Sequence, residues 1–254
     1  MGTFLFLRLF MTKMSSFEAI SAELWSLRGT KEDIRILSSF FKIGKGQYGQ
    51  GDRFLGIRVP IQRRIAKKYF RACSFLDIGK LLDSKWHEFR LVGLFLLLYR
   101  FAVASEEERE IIYRFYIDHF DCVNNWDLVD ASASHIVGEY MISHPKEKKY
   151  LKQWAKSKRM WDRRIALVST HAFIRRGSFE ETLVLSTLLL EDPHDLIQKA
   201  SGWMLREIGK KNKDVLYDFL EKYATSLPRV TLRYAIERFD LYKKHYFLRK
   251  KYEM

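Results

Sequence analysis

Apolar residues recur along this chain at three- and four-residue spacing, and few helix breakers interrupt them. One clear run is Val129, Ala133, Ile136, Val137, Tyr140 and Met141, which predicts an amphipathic helix from about Asn125 to Ile142. Asn124 and Asn125 are good caps for it. The same periodicity predicts helices over 16–27, 31–41, 60–70, 78–82, 86–103, 105–120, 146–156, 158–176, 179–190, 193–209, 214–223 and 228–239. A long polar loop separates the second of these from the third; the other connections are short. Only four prolines occur, Pro60, Pro145, Pro193 and Pro228, with 13 glycines. Breakers this sparse mark helix ends, Pro60 as a first-turn proline, so the chain reads as all-α.

His87, Trp126, Arg164 and Trp203 are separated by 39, 38 and 39 residues. That is the period of a HEAT-like two-helix repeat. In such an array alternate helices face the same concave side, so these positions would line one groove.

The 254 residues are 47% hydrophobic, enough for one large core or a repeat array and too apolar for disorder. Against 31 acidic residues stand 45 Lys and Arg, a net +14 with a pI near 9.7, which implies a polyanionic partner. Nucleic acid leads. An anionic membrane surface also fits the charge, but no run of 18 apolar residues exists and the basic residues are scattered through helices, so no membrane association is expected. Cys73 and Cys122 are too few for a disulfide framework or a thiolate zinc site and fit a reducing, cytoplasmic setting. The apolar run Thr3–Leu7 has no basic residue before it, is interrupted by Arg8 and lacks a small-residue cleavage site, so it does not read as a signal peptide. Residues 1–15 are expected to be a disordered leader, with Met11 and Met14 as equally acceptable starts, before a single domain over 16–254. Phe6 stands where a myristoylation signal at Gly2 needs Ser or Thr.

Candidate chemistry centres on Asn124–Ser134. Asp127 falls in the first turn, where a carboxylate faces the positive end of the helix dipole. Asp130 lies a turn further in, beside the apolar stripe and four residues after Trp126, so the two side chains share a face. Both a helix-packing aspartate and a functional carboxylate fit that position. Gly44–Gly49 has the glycine spacing of a dinucleotide fingerprint, but a helical pattern precedes it and Tyr69 stands where an acidic residue belongs. What remains is a basic loop, with Lys45, Arg53 and Arg58, whose amides are placed to touch phosphate. The histidines, among them His87, His135, His144 and His171, show no metal-ligand spacing, and no metal or other cofactor is expected. Glu88 and Arg90, opening a helix, read as interhelical bonds rather than catalysts. One of Arg163 and Arg164 is expected to face neighbouring helices. Gly202, inside a helix, signals close approach of another backbone, and its neighbour Trp203 reads equally as core. Lys146, Lys148, Lys149 and Lys152, Lys210, Lys211 and Lys213, and Arg63, Arg64, Lys67 and Lys68 are ordinary solvated faces singly and a phosphate track together.

Taken as a set, Phe54–Pro60, His87-Glu88-Phe89-Arg90, Asn125–Asp130, Trp161–Ala166, Ile197–Ala200 with Trp203–Glu207, and Leu232–Glu237 resemble the AlkD-type DNA alkylation repair glycosylases over 40–239. The resemblance implies a right-handed superhelix of antiparallel HEAT-like helix pairs with a concave basic groove. It implies removal of cationic N3- and N7-alkylated purines from duplex DNA by a monomer, with the lesion exposed on the groove rather than flipped into a pocket. Matched residue by residue, it places the catalytic carboxylate at Asp130, the lesion-facing tryptophans at Trp126 and Trp203, and a DNA-contacting arginine at Arg164. Arg163, Lys45, Arg58, Lys199 and Arg206 are the further DNA-binding candidates. A second reading is a catalytically silent DNA-binding or scaffold protein of the same architecture, which the groove and charge would serve equally well.

Overall fold

The computed structural model describes residues 14–250, and the expected leader lies almost wholly outside them. Helices run through the described residues: α1 (Ser16–Ser26), α2 (Lys31–Ser38), α3 (Val59–Tyr69), α4 (Phe75–Leu82), α5 (His87–Val103), α6 (Glu106–Asp118), α7 (Trp126–Ala133), α8 (Glu139–Ser143), α9 (Lys149–Ala155), α10 (Met160–Ser169), α11 (His171–Arg175), α12 (Glu180–Leu188), α13 (Asp195–Lys211), α14 (Lys213–Tyr223), α15 (Arg229–Ala235) and α16 (Leu241–Lys250). The β-pairing found among them is an isolated bridge between Arg53 and Trp86. By their contacts the described residues divide into two compact units, the first ending at Arg100 and the second starting at Phe101. The division falls inside α5, where no linker or composition change signals it.

In the first unit α1 packs on α3 and α4, burying Ile20, Leu24, Ile65, Ala66, Ile78 and Leu81. The loop between α2 and α3 is held from beneath. Glu88, in the first turn of α5 and 1% exposed, accepts from the amides of Leu55, Gly56 and Ile57 at 2.9–3.3 Å. Arg90 donates to the Ser84 carbonyl and to Asp52. Glu88 and Arg90 are thus structural, each tying α5 to a loop. The amides of the glycine-rich loop offered to phosphate by its sequence are partly taken: Gly44 N–H donates to the Gln47 side chain and Gly46 N–H to that of Gln50.

In the second unit α7, α10, α13 and α15 lie in contact as successive neighbours, while α9 packs on α10 and α12, and α14 on α13. Trp126, Arg164 and Trp203 therefore sit on three consecutive helices of one row. Gly202 has the role its position suggests: a Cβ there would meet the Thr231 carbonyl oxygen at 2.6 Å and Tyr234 Cβ at 2.4 Å. Two expected helices are broken. The one over 158–176 ends at Ser169 and restarts at His171, because Ser169 Oγ and Thr170 Oγ1 donate to the carbonyls of Ile165 and Leu167. Such back-bonding competes with the backbone ladder and bends helices. The one over 125–142 passes into a π turn at Ser134–Gly138, just after Ser132 Oγ donates to the Leu128 carbonyl. Helix α16 lies beyond the last one expected.

Candidate functional site

The site grows from α7. Asn125, fully buried, caps the helix by accepting from Trp126 N–H, and Asp127 accepts from Leu128 N–H within the first turn. Leu128, Val129 and Ala133 face the core, which turns Trp126 and Asp130 toward the edge of the buried surface; both are half-buried. The Asp130 side chain keeps 22% of its surface exposed.

Asp130 is gripped from α10. Arg164 Nε donates to Oδ1 at 3.0 Å and Nη2 to Oδ2 at 2.8 Å, the planar fork that a guanidinium makes with a carboxylate. Arg164 is 5% exposed, and its Nη1 donates to the Leu196 carbonyl on α13. One side chain thus joins α7, α10 and α13. Burial pushes the Asp130 carboxyl above the ordinary aspartate range; the Arg164 charge and hydrogen bond oppose that shift, and Asp127 adds to it. Below α7 the Tyr116 hydroxyl pairs with Ser132 Oγ at 2.8 Å, and burial raises its pKa so that it stays protonated.

A second tier lies beyond this pair, on the π turn, α11 and α13. Ser134, four residues after Asp130, opens the π turn, a feature that concentrates at functional positions. Its hydroxyl accepts from Arg175 Nη1 at 2.8 Å, and the same nitrogen donates to His171 Nδ1 at 3.3 Å. The His171 ring lies 5.7 Å from that of Trp203, inclined by 50°. Trp203 is half-buried rather than core, and its indole N–H donates to Glu207 Oε1 at 3.1 Å. Neither Glu207 nor Arg175 is among the candidates singled out from the sequence. The helical signal was present for Glu207, an acceptor four residues after an indole donor; Arg175 meets Ser134 only through tertiary packing.

The remaining candidates scatter. Both Arg163 and Arg164, not one of the two, face inward: Arg163 pairs with Asp192 at 2.6 Å and donates to the carbonyls of Ser157 and Lys158. Arg206 bonds to Glu237, and Lys199 pairs with Asp195 at 3.1 Å on its own helix. Lys45 and Arg58 are exposed residues of the first unit. Among the described residues no cluster of three His, Cys, Asp or Glu side chains is placed to hold a metal ion, and no helix is long and apolar enough to cross a membrane.

The fold is similar to that of a structure described as a predicted DNA alkylation repair enzyme from Enterococcus faecalis, at 17% identity and a TM-score of 0.66 over 85% of this chain and 99% of that one. It is also similar to AlkD2 from Streptococcus mutans, at 18% identity and a TM-score of 0.52 over 89% of this chain and all of that one. At such identities the likeness establishes the all-helical fold. The sequence matches no curated protein. The sequence model of the DNA alkylation repair enzyme family matches residues 20–239, so the chain belongs to that family, a family of DNA repair whose partner is DNA.

Proposed function

We propose that this protein is a DNA glycosylase that hydrolyses the N-glycosidic bond of cationic N3- and N7-alkylated purines in duplex DNA, without base flipping and without a metal or cofactor. The observation that carries the reading is a carboxylate, Asp130, held by a buried guanidinium beside a half-buried tryptophan on the same helix face. An alkylated purine with a formal positive charge is a good leaving group and needs no protonation. The glycosidic electron pair departs with the base, and the sugar left behind carries oxocarbenium character. Asp130 puts negative charge beside that cation and accepts a proton from the water that attacks it. Its raised pKa makes it a better base than an ordinary aspartate. Trp126 and Trp203 offer ring faces to the cationic base, worth about 0.5–2 kcal/mol per contact. Arg164 orients Asp130. Three of its five N–H groups are used, leaving one on each terminal nitrogen for a flanking phosphate. Lys199, Arg206, Arg163, Lys45 and Arg58 are weaker candidates for backbone contacts, since the first three are already paired within the protein. The protein acts as a monomer in this reading.

The same pairing favours one alternative. A carboxylate with both oxygens on a buried arginine that bridges three helices also suits a silent DNA-binding protein, in which Asp130 is an interhelical tie. Release of N7-methylguanine from methylated duplex DNA separates the two. Wild type should release it and Asp130→Asn should be slower by about 10²-fold or more. No release by wild type, or equal release by both, removes the glycosylase mechanism through Asp130.

A further inference from the structure

The second tier has a feature that the reaction above does not use. Trp203 is held at two places by residues outside the Asp130–Arg164 pair. Its N–H edge is tied to Glu207 on the next turn of α13. Glu207 is itself anchored, since Lys210 donates to both of its oxygens at 2.7 and 2.9 Å and Arg206 lies 3.6 Å away. The ring is flanked by the His171 imidazole. A guanidinium has no acceptor, so the contact from Arg175 Nη1 makes His171 Nδ1 the unprotonated nitrogen. Arg175 is fixed in turn by Ser134 and by Glu139, whose Oε1 it reaches at 2.7 Å. The indole therefore cannot turn about its side-chain bonds without breaking the Glu207 bond or displacing the imidazole.

We propose that Glu207 is a positioning residue that, with His171 as lateral support, holds the Trp203 indole as a fixed platform for a cationic base. This rests on the glycosylase reading. A hydrogen bond from the indole N–H to a carboxylate fixes the ring plane and shifts electron density into the ring, which strengthens the attraction of its face for a cation. His171 supports the ring without placing a cation against it. Burial lowers its pKa below the usual imidazole value, the Arg175 charge acts in the same direction with smaller help from His135 and Lys210, and Glu207 opposes them. The imidazole is therefore neutral at pH 7, and a charged imidazole there would repel the substrate. A mobile indole would bind undamaged DNA as well as a fixed one and would lose only the contact that discriminates the charged base.

The test uses the full chain with methylated duplex DNA under single-turnover conditions, alongside binding of undamaged duplex of the same sequence. Glu207→Leu should release N7-methylguanine about tenfold more slowly, the loss of one cation–π contact, with no loss of affinity for undamaged duplex, since the change frees Lys210 and Arg206 rather than removing a cation. Glu207→Gln, which keeps an acceptor at the same reach, should recover most of the rate. A wild-type rate in Glu207→Leu, or equal losses in both variants, overturns the inference. The indole N–H proton resonance of Trp203, assigned by its disappearance in Trp203→Phe, gives a readout independent of activity. It should move upfield in Glu207→Leu and stay near its wild-type position in Glu207→Gln; an unmoved resonance in Glu207→Leu also overturns the platform. If wild type releases no base, the glycosylase reading fails, and this resonance still decides whether Glu207 positions the ring.

Discussion

Each unit of this protein carries a carboxylate near the start of a helix, and the two are used in opposite ways. Glu88, in the first turn of α5, is sealed from solvent and accepts from the backbone amides of Leu55, Gly56 and Ile57. Asp130, a turn into α7, keeps part of its surface exposed and is held by a side chain, Arg164. Three amides delocalise and bury a charge where no ligand reaches it; their acceptor is part of the loop's architecture. A fork from one arginine leaves an edge of the carboxylate at the surface, and it sets the orientation of that edge. Burial alone therefore does not mark a functional acid. In the proposed reading Asp130 differs by the face it leaves open to substrate, while burial raises its pKa against the pull of Arg164.

The largest expected effect tests the structural half of this contrast. Glu88→Leu strands three buried N–H groups, each costing about 1–3 kcal/mol, so urea denaturation should show a loss of about 3 kcal/mol or more. A loss below about 1 kcal/mol would mean that water or a rearranged loop replaces the carboxylate. Asp130→Asn should show the reverse profile, a loss of repair rate by about 10²-fold with a smaller loss of stability than Glu88→Leu, because the amide oxygen keeps one acceptor for Arg164. A smaller effect separates the two acids through their supports. Gly56 has φ +81° where its amide meets Glu88, and a Cβ there would come within 3.0 Å of the Ile34 backbone nitrogen. Gly56→Ala should therefore cost about 1–2 kcal/mol of stability and leave base release per folded molecule unchanged.

The smallest expected effect is one of pH. The folded pKa of Asp130 lies above its unfolded value, so the carboxylate form is lost from the native protein at a higher pH than from the unfolded chain. Base release that depends on the ionised group should fall as pH drops through this raised value, above the range where an ordinary aspartate titrates. Stability moves the other way, because the folded state holds the Asp130 proton more tightly and the acid form is favoured in the fold. Asp130 thus contributes stability below the unfolded pKa that is lost as pH rises through the folded one. Asp130→Asn should abolish that part of the pH dependence; an identical stability–pH curve in the variant would show that Arg164 fully offsets burial.

Periodicity and sparse breakers were sufficient for most helices, since each buries one face, and the recurrence of Trp126, Arg164 and Trp203 was sufficient to group three helices of one row within the second unit, while His87, at the same interval, lies in the first. The two interrupted helices were not legible. Their apolar spacing runs on across the breaks, and the hydroxyls of Ser132, Ser169 and Thr170 that compete for backbone carbonyls carry no periodic signal. In the candidate site, Asp130 and Trp126 were legible as a face because helical geometry sets i and i+4 together. The partner of Asp130 was not. Arg163 and Arg164 are adjacent and chemically identical, and both turn inward, one toward Asp192 and one toward Asp130.

From the sequence alone came an all-α chain, a basic surplus suited to DNA, the cap at Asn125 and the close approach at Gly202, all of which follow from local geometry and composition, and, by resemblance of its motifs, the family. Tertiary structure decided which charges are available. It buried Glu88 and Arg164 against partners 30 or more residues away, spent Arg163 on a loop, and set His171 beside Trp203. The physical reason is that a helix sets the order of its own side chains within a turn or two, whereas the pairing of a charge depends on which distant segment packs against it.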